Sequence, residues 1–376
     1  MNFSPWFYSL CDDSIQYRIF LVVLGLVCAL GCGGGVQENT QSQGETRIQV
    51  SSSRSQEIVA LEKGYDFGEL EVIAEEQDVD AIVPENLNGT RVPFTISSPL
   101  CENNQGPVCI ELKLGDDYLT TSSPANGYLY SCSEKNPNAP GSREDRITWI
   151  NFRANTWNFL KKLWLPEGSF QPNVGTYDEM VIGDIREIEV NNLPVDGKIG
   201  DWPMTNYPTL SEIDGNPGIP LSREFSFSYP VKGEFASSPT CVDLGAIGVT
   251  MNGVLLFNAA DARGEDAVAR EVTDEFGGHP AREDYHYHFI PERLDNDFLD
   301  DGHSGIIGYI NDGFPIYGYK GEKGLEMSNE DLDICHGHDH GTLGYHYHAT
   351  IEYPYTVGCY RGMPTQNAFN LMSPQR

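Results

Sequence analysis

The chain has 376 residues and a formal net charge of −31, enough length for a substantial core and two domains. That charge excludes a nucleic-acid role, because phosphate contacts need clustered Lys and Arg, and it favours metal cations or basic ligands. An ordinary apolar share with generous aromatic content excludes a solvated tail.

The first element in chain order is a targeting segment. Residues 19–31 form an apolar run that follows Arg18 and ends at Gly31-Cys32-Gly33. The run is short for a membrane span and suits the apolar region of a secretory signal. A small residue, a Cys and then glycines resemble the lipobox of bacterial lipoproteins. The resemblance implies that residues 1–32 are a signal and that Cys32 is the lipidated first residue of the mature chain. Asp12 and Asp13 stand where positive charge is usual, so an uncleaved N-terminal anchor is the alternative. Either reading implies export to the cell envelope with the membrane as a partner through the N-terminus, and the lipid anchor places the protein on the outer membrane or cell surface. Residues 33–57 are rich in Ser, Gln and Gly and read as a flexible tether.

Residues 58–189 alternate short apolar stretches with turn signals, as at 92–96, 109–114 and 147–152. The period of two predicts a strand-rich accessory region. It holds no histidine, and an unknown small molecule or surface polymer is the only ligand it suggests. A second β-rich region spans 190–363, followed by a tail at 364–376. Residues 245–257 predict two strands joined at Asn252-Gly253, a strong hairpin signal. Residues 266–276 predict a short helix closed by Gly277-Gly278. Strands are then expected over 285–289, 305–319 and 345–355. The fold class is mainly β with minor helix.

Removing Cys11, Cys28 and Cys32 from the nine cysteines leaves an even set: Cys101, Cys109, Cys132, Cys241, Cys335 and Cys359. An even set suits disulfides in an oxidising compartment, with the pairing left open. No close pair of the C-x-x-C kind points to a thiolate zinc site.

All nine histidines lie between His279 and His348. Tyr285-His286-Tyr287-His288 recurs, sixty residues later, as Tyr345-His346-Tyr347-His348. On a strand, residues two apart share a face, so each tetrad presents two imidazoles on one side and two tyrosines on the other. Two such pairs predict a transition-metal site, zinc or copper, since histidine-only ligation disfavours calcium and magnesium. The expectation is that His286, His288, His346 and His348 meet on adjacent strands, with His279 or His303 completing the site. His336, His338 and His340 are either further ligands or a polar loop. Asp274, Asp312 and Asp333 are candidates to orient imidazole N–H groups from behind the ligands. Affinity is expected to fall as pH drops through the histidine range, near ~6.5.

These residues resemble the YHYH domain family of bacterial secreted and surface proteins. Both tetrads carry the resemblance, with 247–254, 278–280, His303-Ser304, 312–318, 332–338 and 353–359, so it covers about 197–362. It implies a domain and names no reaction. Relatives carry a Cys where this chain has Phe276 and another where it has Arg293, which implies a bridge there that this chain lacks. The resemblance also implies a Cys335–Cys359 bridge. A His near Asp196 in relatives is absent here.

Three functions fit these observations. The leading one is a metal-binding envelope protein. A metal-dependent enzyme, hydrolytic or copper-oxidative, would use the same face, with Asp312, Asp333 or a spare His as base. Ser304 beside His303 is only a faint hydrolase signal, because no nucleophile elbow is present. The third is a surface interaction module with a structural metal or none.

Overall fold

In the computed structural model, the described residues are 91–365 and 369–371, apart from 92, 94, 97, 103–107, 169–174 and 217. The targeting segment, Cys32 and the tether lie outside them. Among the described residues, no helix is long and apolar enough to cross a membrane.

The expected hairpin forms. Ala246–Thr250 (β1) and Leu255–Phe257 (β2) pair antiparallel, and Gly253 takes the positive φ of 80° that its turn requires. The strands that follow are Gly278–Ala281 (β3), Asp284–Tyr287 (β4), Ile306–Ile310 (β5), Pro315–Tyr317 (β6), Gly337–His340 (β7) and Gly344–His348 (β8). They form one eight-stranded sheet in the order β3-β4-β2-β1-β5-β6-β8-β7.

That order reads the same from either edge. β1 and β5 pair antiparallel at the centre, with Val249 opposite Tyr309. Outward from them, β2 runs parallel to β4 and β6 parallel to β8. Each tetrad strand then takes an antiparallel outer partner, with His279 opposite His286 and His338 opposite His346. Both inner hairpins carry a register shift at corresponding places, Ala246/Gly248 and Ile306/Gly308. The sheet is therefore a duplicated unit related by a pseudo-two-fold axis between Val249 and Tyr309.

One face of the sheet buries Tyr285, Tyr287, Tyr345 and Tyr347 in the main core, which also contains Trp149, Trp157 and Trp164. Over the middle of the other face, Val249, Leu255 and Tyr309 pack with Ile188, Val190, Phe225, Phe227 and Tyr229. These come from a four-stranded sheet of Tyr177–Ile182, Ile185–Val190, Phe225–Pro230 and Phe369–Leu371.

The molecule is mainly β, and several elements differ from expectation. Among its described residues, the accessory region is strand-poor before residue 177. Its strands are two-residue pieces such as Leu112–Lys113, Ile150–Asn151 and Thr156–Trp157, and the described residues of 92–96 form none. Its alternating apolar residues reach the core from irregular backbone. The expected helix shortens to Ala267–Arg270 (α1), capped by Asp266, whose side chain accepts from Ala269 N. It stops because β-branched Val272 and Thr273 follow, and because the Asp274 carboxylate takes the Phe276 and Gly278 amides into a turn. The last expected strand ends at His348 rather than running to 355. Pro354 has no N–H to donate, and Tyr355 has a φ of 64°.

All six remaining cysteines are paired: Cys101–Cys109, Cys132–Cys241 and Cys335–Cys359. The third ties the segment before β7 to the segment before Tyr360. Replacing Cys335 and Cys359 with Ala is expected to cost about 2–4 kcal/mol in denaturant unfolding. An unchanged midpoint would show that the bridge carries no stability.

Candidate metal centres

Two separate histidine clusters stand where one was expected. Between β4 and β8 lie four strands, so the tetrads are about 24 Å apart at ordinary strand spacing. The four tetrad imidazoles do not meet. Each pair instead recruits a histidine from its own outer neighbour: His279 on β3 for the first centre, His338 on β7 for the second.

The first centre contains His279, His286 and His288, and the second His303, His338, His346 and His348. All but His338 are buried. Local backbone aims the rings. His286 Nδ1 donates to the Asp284 carbonyl (3.0 Å) and His288 Nδ1 to the Asn258 carbonyl (2.5 Å). The second half repeats this, with His346 Nδ1 on Gly344 (2.8 Å) and His348 Nδ1 on Gly318 (2.6 Å). His303 Nδ1 donates to the Ser304 carbonyl (2.7 Å). Aromatic rings back the tetrads alike: Phe257 stacks on His286 at 3.9 Å, and Tyr317 lies 4.3 Å from His346.

A neutral imidazole that donates through Nδ1 carries a lone pair on Nε2. These lone pairs converge. His286 and His288 Nε2 are 3.1 Å apart. In the second centre His338–His346, His338–His348 and His303–His346 are separated by 3.0, 3.1 and 3.2 Å. Zinc–nitrogen bonds of ~2.0–2.1 Å in a tetrahedron give edges of about 3.3 Å, so the spacing fits a single ion. Without a cation, facing lone pairs repel, and for His286 with His288 and for His303 with His346 the protons needed to bridge them are already committed to carbonyls.

Burial lowers the pKa of the tetrad imidazoles, of His279 and of His338. It holds His288 at about 4 and His346 at about 3. It also pushes His279, His286 and His348 well below the imidazole range, with neighbouring imidazoles adding to the shift.

The other sequence candidates have different roles. His336 is not in either cluster; its Nε2 faces Thr350 Oγ1 at 3.0 Å, and its backbone has a φ of 73°. His338 and His340 lie on a strand rather than in a loop, because β7 pairs with β8 along its length. His340 sits beside the second centre, with its ring 5.0 Å from His303 and its Nε2 3.2 Å from Glu322. Asp274, Asp312 and Asp333 do not orient histidines. They accept from the tetrad tyrosines: Tyr285 Oη on Asp274 (2.7 Å), Tyr347 Oη on Asp312 (2.6 Å) and Tyr345 Oη on Asp333 (3.2 Å). Backbone carbonyls took the role assigned to them, because the aspartates lie on the opposite face of the sheet. Arg293 stacks over the Phe276 ring at 5.7 Å, so the two positions where relatives carry cysteines are neighbours here.

Sequence reasoning missed Glu271. Its Oε2 lies 3.4 Å from His279 Nε2 and 3.6 Å from His288 Nε2. Burial pushes its carboxyl well above the usual range, and nearby Asp214 and Asp261 push it further. Nothing in the sequence separates it from many other acidic residues; the only hint is its place directly after a capped helical turn. Together with His279, His286 and His288 it faces a cavity of about 630 Å³.

The YHYH protein family matches residues 226–329, a span that holds β1 to β6 and the first tetrad. No curated protein and no solved structure matches the chain significantly.

Proposed function

We propose that this chain, which carries a YHYH domain, is an exported and lipid-anchored envelope protein whose domain binds two transition-metal ions through imidazole. The observation that carries the reading is the convergence of Nε2 atoms at the edge length of a metal tetrahedron, twice and in symmetric positions. Zinc and copper(II) suit these donors. Three disulfides and the apolar N-terminal run support export, and Cys32 is the residue that would carry lipid.

Metal analysis of the full chain, purified without a histidine tag, is expected to return two ions per chain. The pH dependence follows from burial. A proton competes for a ligand nitrogen only as pH approaches that group's own pKa. With His288 held at about 4 and His279 and His286 pushed well below the imidazole range, affinity at the first centre is expected to stay flat from neutral pH to roughly 5 and to fall only below that. This differs from the decline near ~6.5 that unperturbed imidazoles predict. Titration with a chromophoric chelator across this range measures it. A midpoint of release near 6.5 would mean that the ligands are solvated groups, and a chain without metal would defeat the reading.

A further inference from the structure

The duplicated halves supply an internal comparison, and at the metal centres they are not alike. In the second centre the fourth direction is filled by His303, which precedes β5. Sixty residues earlier the chain has Asp243, whose carbonyl accepts from Asn258 Nδ2. The first centre therefore lacks a fourth imidazole, and what stands in its place is Glu271.

Glu271 is the C-cap of α1, which aims its side chain at the histidines. Its Oε2 is buried without a hydrogen-bond partner, and so are both ring nitrogens of His279. His279 is only 3 % exposed. Buried polar atoms with no partner are uncommon and costly, so several of them around one point call for a group between them. Glu271 Oε2 lies 3.4 Å from His279 Nε2 and 3.6 Å from His288 Nε2, separations that suit neighbouring ligands of one ion.

We propose that Glu271 is the fourth ligand of the first centre. One duplicated domain then holds two unlike sites: a four-imidazole site that is coordinatively full, and a three-imidazole, one-carboxylate site on which a cavity opens. A carboxylate can change between one and two bonding oxygens, which lets a centre gain or lose a ligand without moving the fold. The cavity of about 630 Å³ has the size of a small-molecule site. Leu244, Phe257, Ala260 and Pro280 give it apolar walls, and its charged lining is mixed, with Asp214 and Asp261 beside Arg263 and Arg282. The first centre is thus where a small nitrogen or oxygen donor reaches the metal. This inference rests on the metal reading above.

The test uses the full chain loaded with cobalt(II), whose visible spectrum reports coordination, and free imidazole as the external donor. Glu271→Gln is expected to weaken one of the two cobalt ions at least tenfold and leave the other unchanged, while Glu271→His restores two tight ions. Imidazole is expected to alter the parent spectrum. It should still do so after His346→Ala with His348→Ala, and fail to do so after His286→Ala with His288→Ala. Glu271→Gln protein that folds, by circular dichroism, and binds both ions with parental affinity and spectrum would overturn the ligand assignment. An imidazole response that follows the second centre would overturn the access claim. A parent chain that takes up no cobalt would sink the metal reading as well, and so is distinguishable from both.

Discussion

Replacing His286 and His288 together with Ala is expected to leave a chain that binds one metal ion where the parent binds two. Replacing His346 and His348 should do the same, and the four-fold variant should bind none. The prediction follows from topology. The tetrads lie on β4 and β8 with four strands between them, and each recruits its third imidazole from its own outer strand. A ligand set that lost two of its members would fall from tight binding to little or none, while the other centre keeps every donor. If the tetrads formed a single site, either pair of substitutions would abolish binding altogether. Metal stoichiometry after gel filtration separates the two cases. The variants should remain folded, because the tetrad tyrosines and not the histidines occupy the main core.

The second large effect is on stability. Asp312 is 1 % exposed and accepts from Tyr347 Oη (2.6 Å), Gly362 N (2.9 Å) and Arg361 N (3.1 Å). Burial pushes its pKa up, and these hydrogen bonds pull it back down. Asp312→Ala leaves several buried donors without an acceptor, each costing about 1–3 kcal/mol, so a loss of roughly 3 kcal/mol or more is expected. Tyr347→Phe should cost less, about 1–2 kcal/mol, since Asp312 keeps its backbone donors. Metal affinity at the second centre should change little in Tyr347→Phe, because the hydroxyl lies on the opposite face from His346 and His348. Chemical denaturation measures the first effect and chelator titration the second. Equal costs for the two substitutions would mean that the backbone donors contribute nothing. The corresponding pair in the first half is Asn252 Nδ2 donating to Tyr287 Oη at 3.2 Å, with Arg293 Nη2 donating at 2.8 Å. The same location is therefore held by a neutral amide and a cation in one half and by a carboxylate in the other.

Much of this was legible in the sequence, and the physical reason is locality. A strand's side chains alternate, so the tetrads alone determined that His286 and His288 share a face, that His346 and His348 do likewise, and that the tyrosines take the opposite one. The Asn252-Gly253 hairpin followed from the turn chemistry of two residues. The even count of the cysteines that follow Cys32 predicted disulfides but not the Cys101–Cys109 and Cys132–Cys241 pairings. Which strands become neighbours is a non-local matter, and it was decided by tertiary structure. Parallel pairing of β2 with β4 and of β6 with β8, around a central antiparallel pair, sends the tetrads to opposite flanks. Periodicity within one strand carries no information about that order. Nor could it identify Glu271 as the group facing His279 and His288, since a carboxylate becomes a ligand through position and burial rather than by type. The sequence alone determined what kind of chemistry the domain presents. Tertiary structure decided that the imidazoles gather in two places, with His303 in one group and Glu271 beside the other.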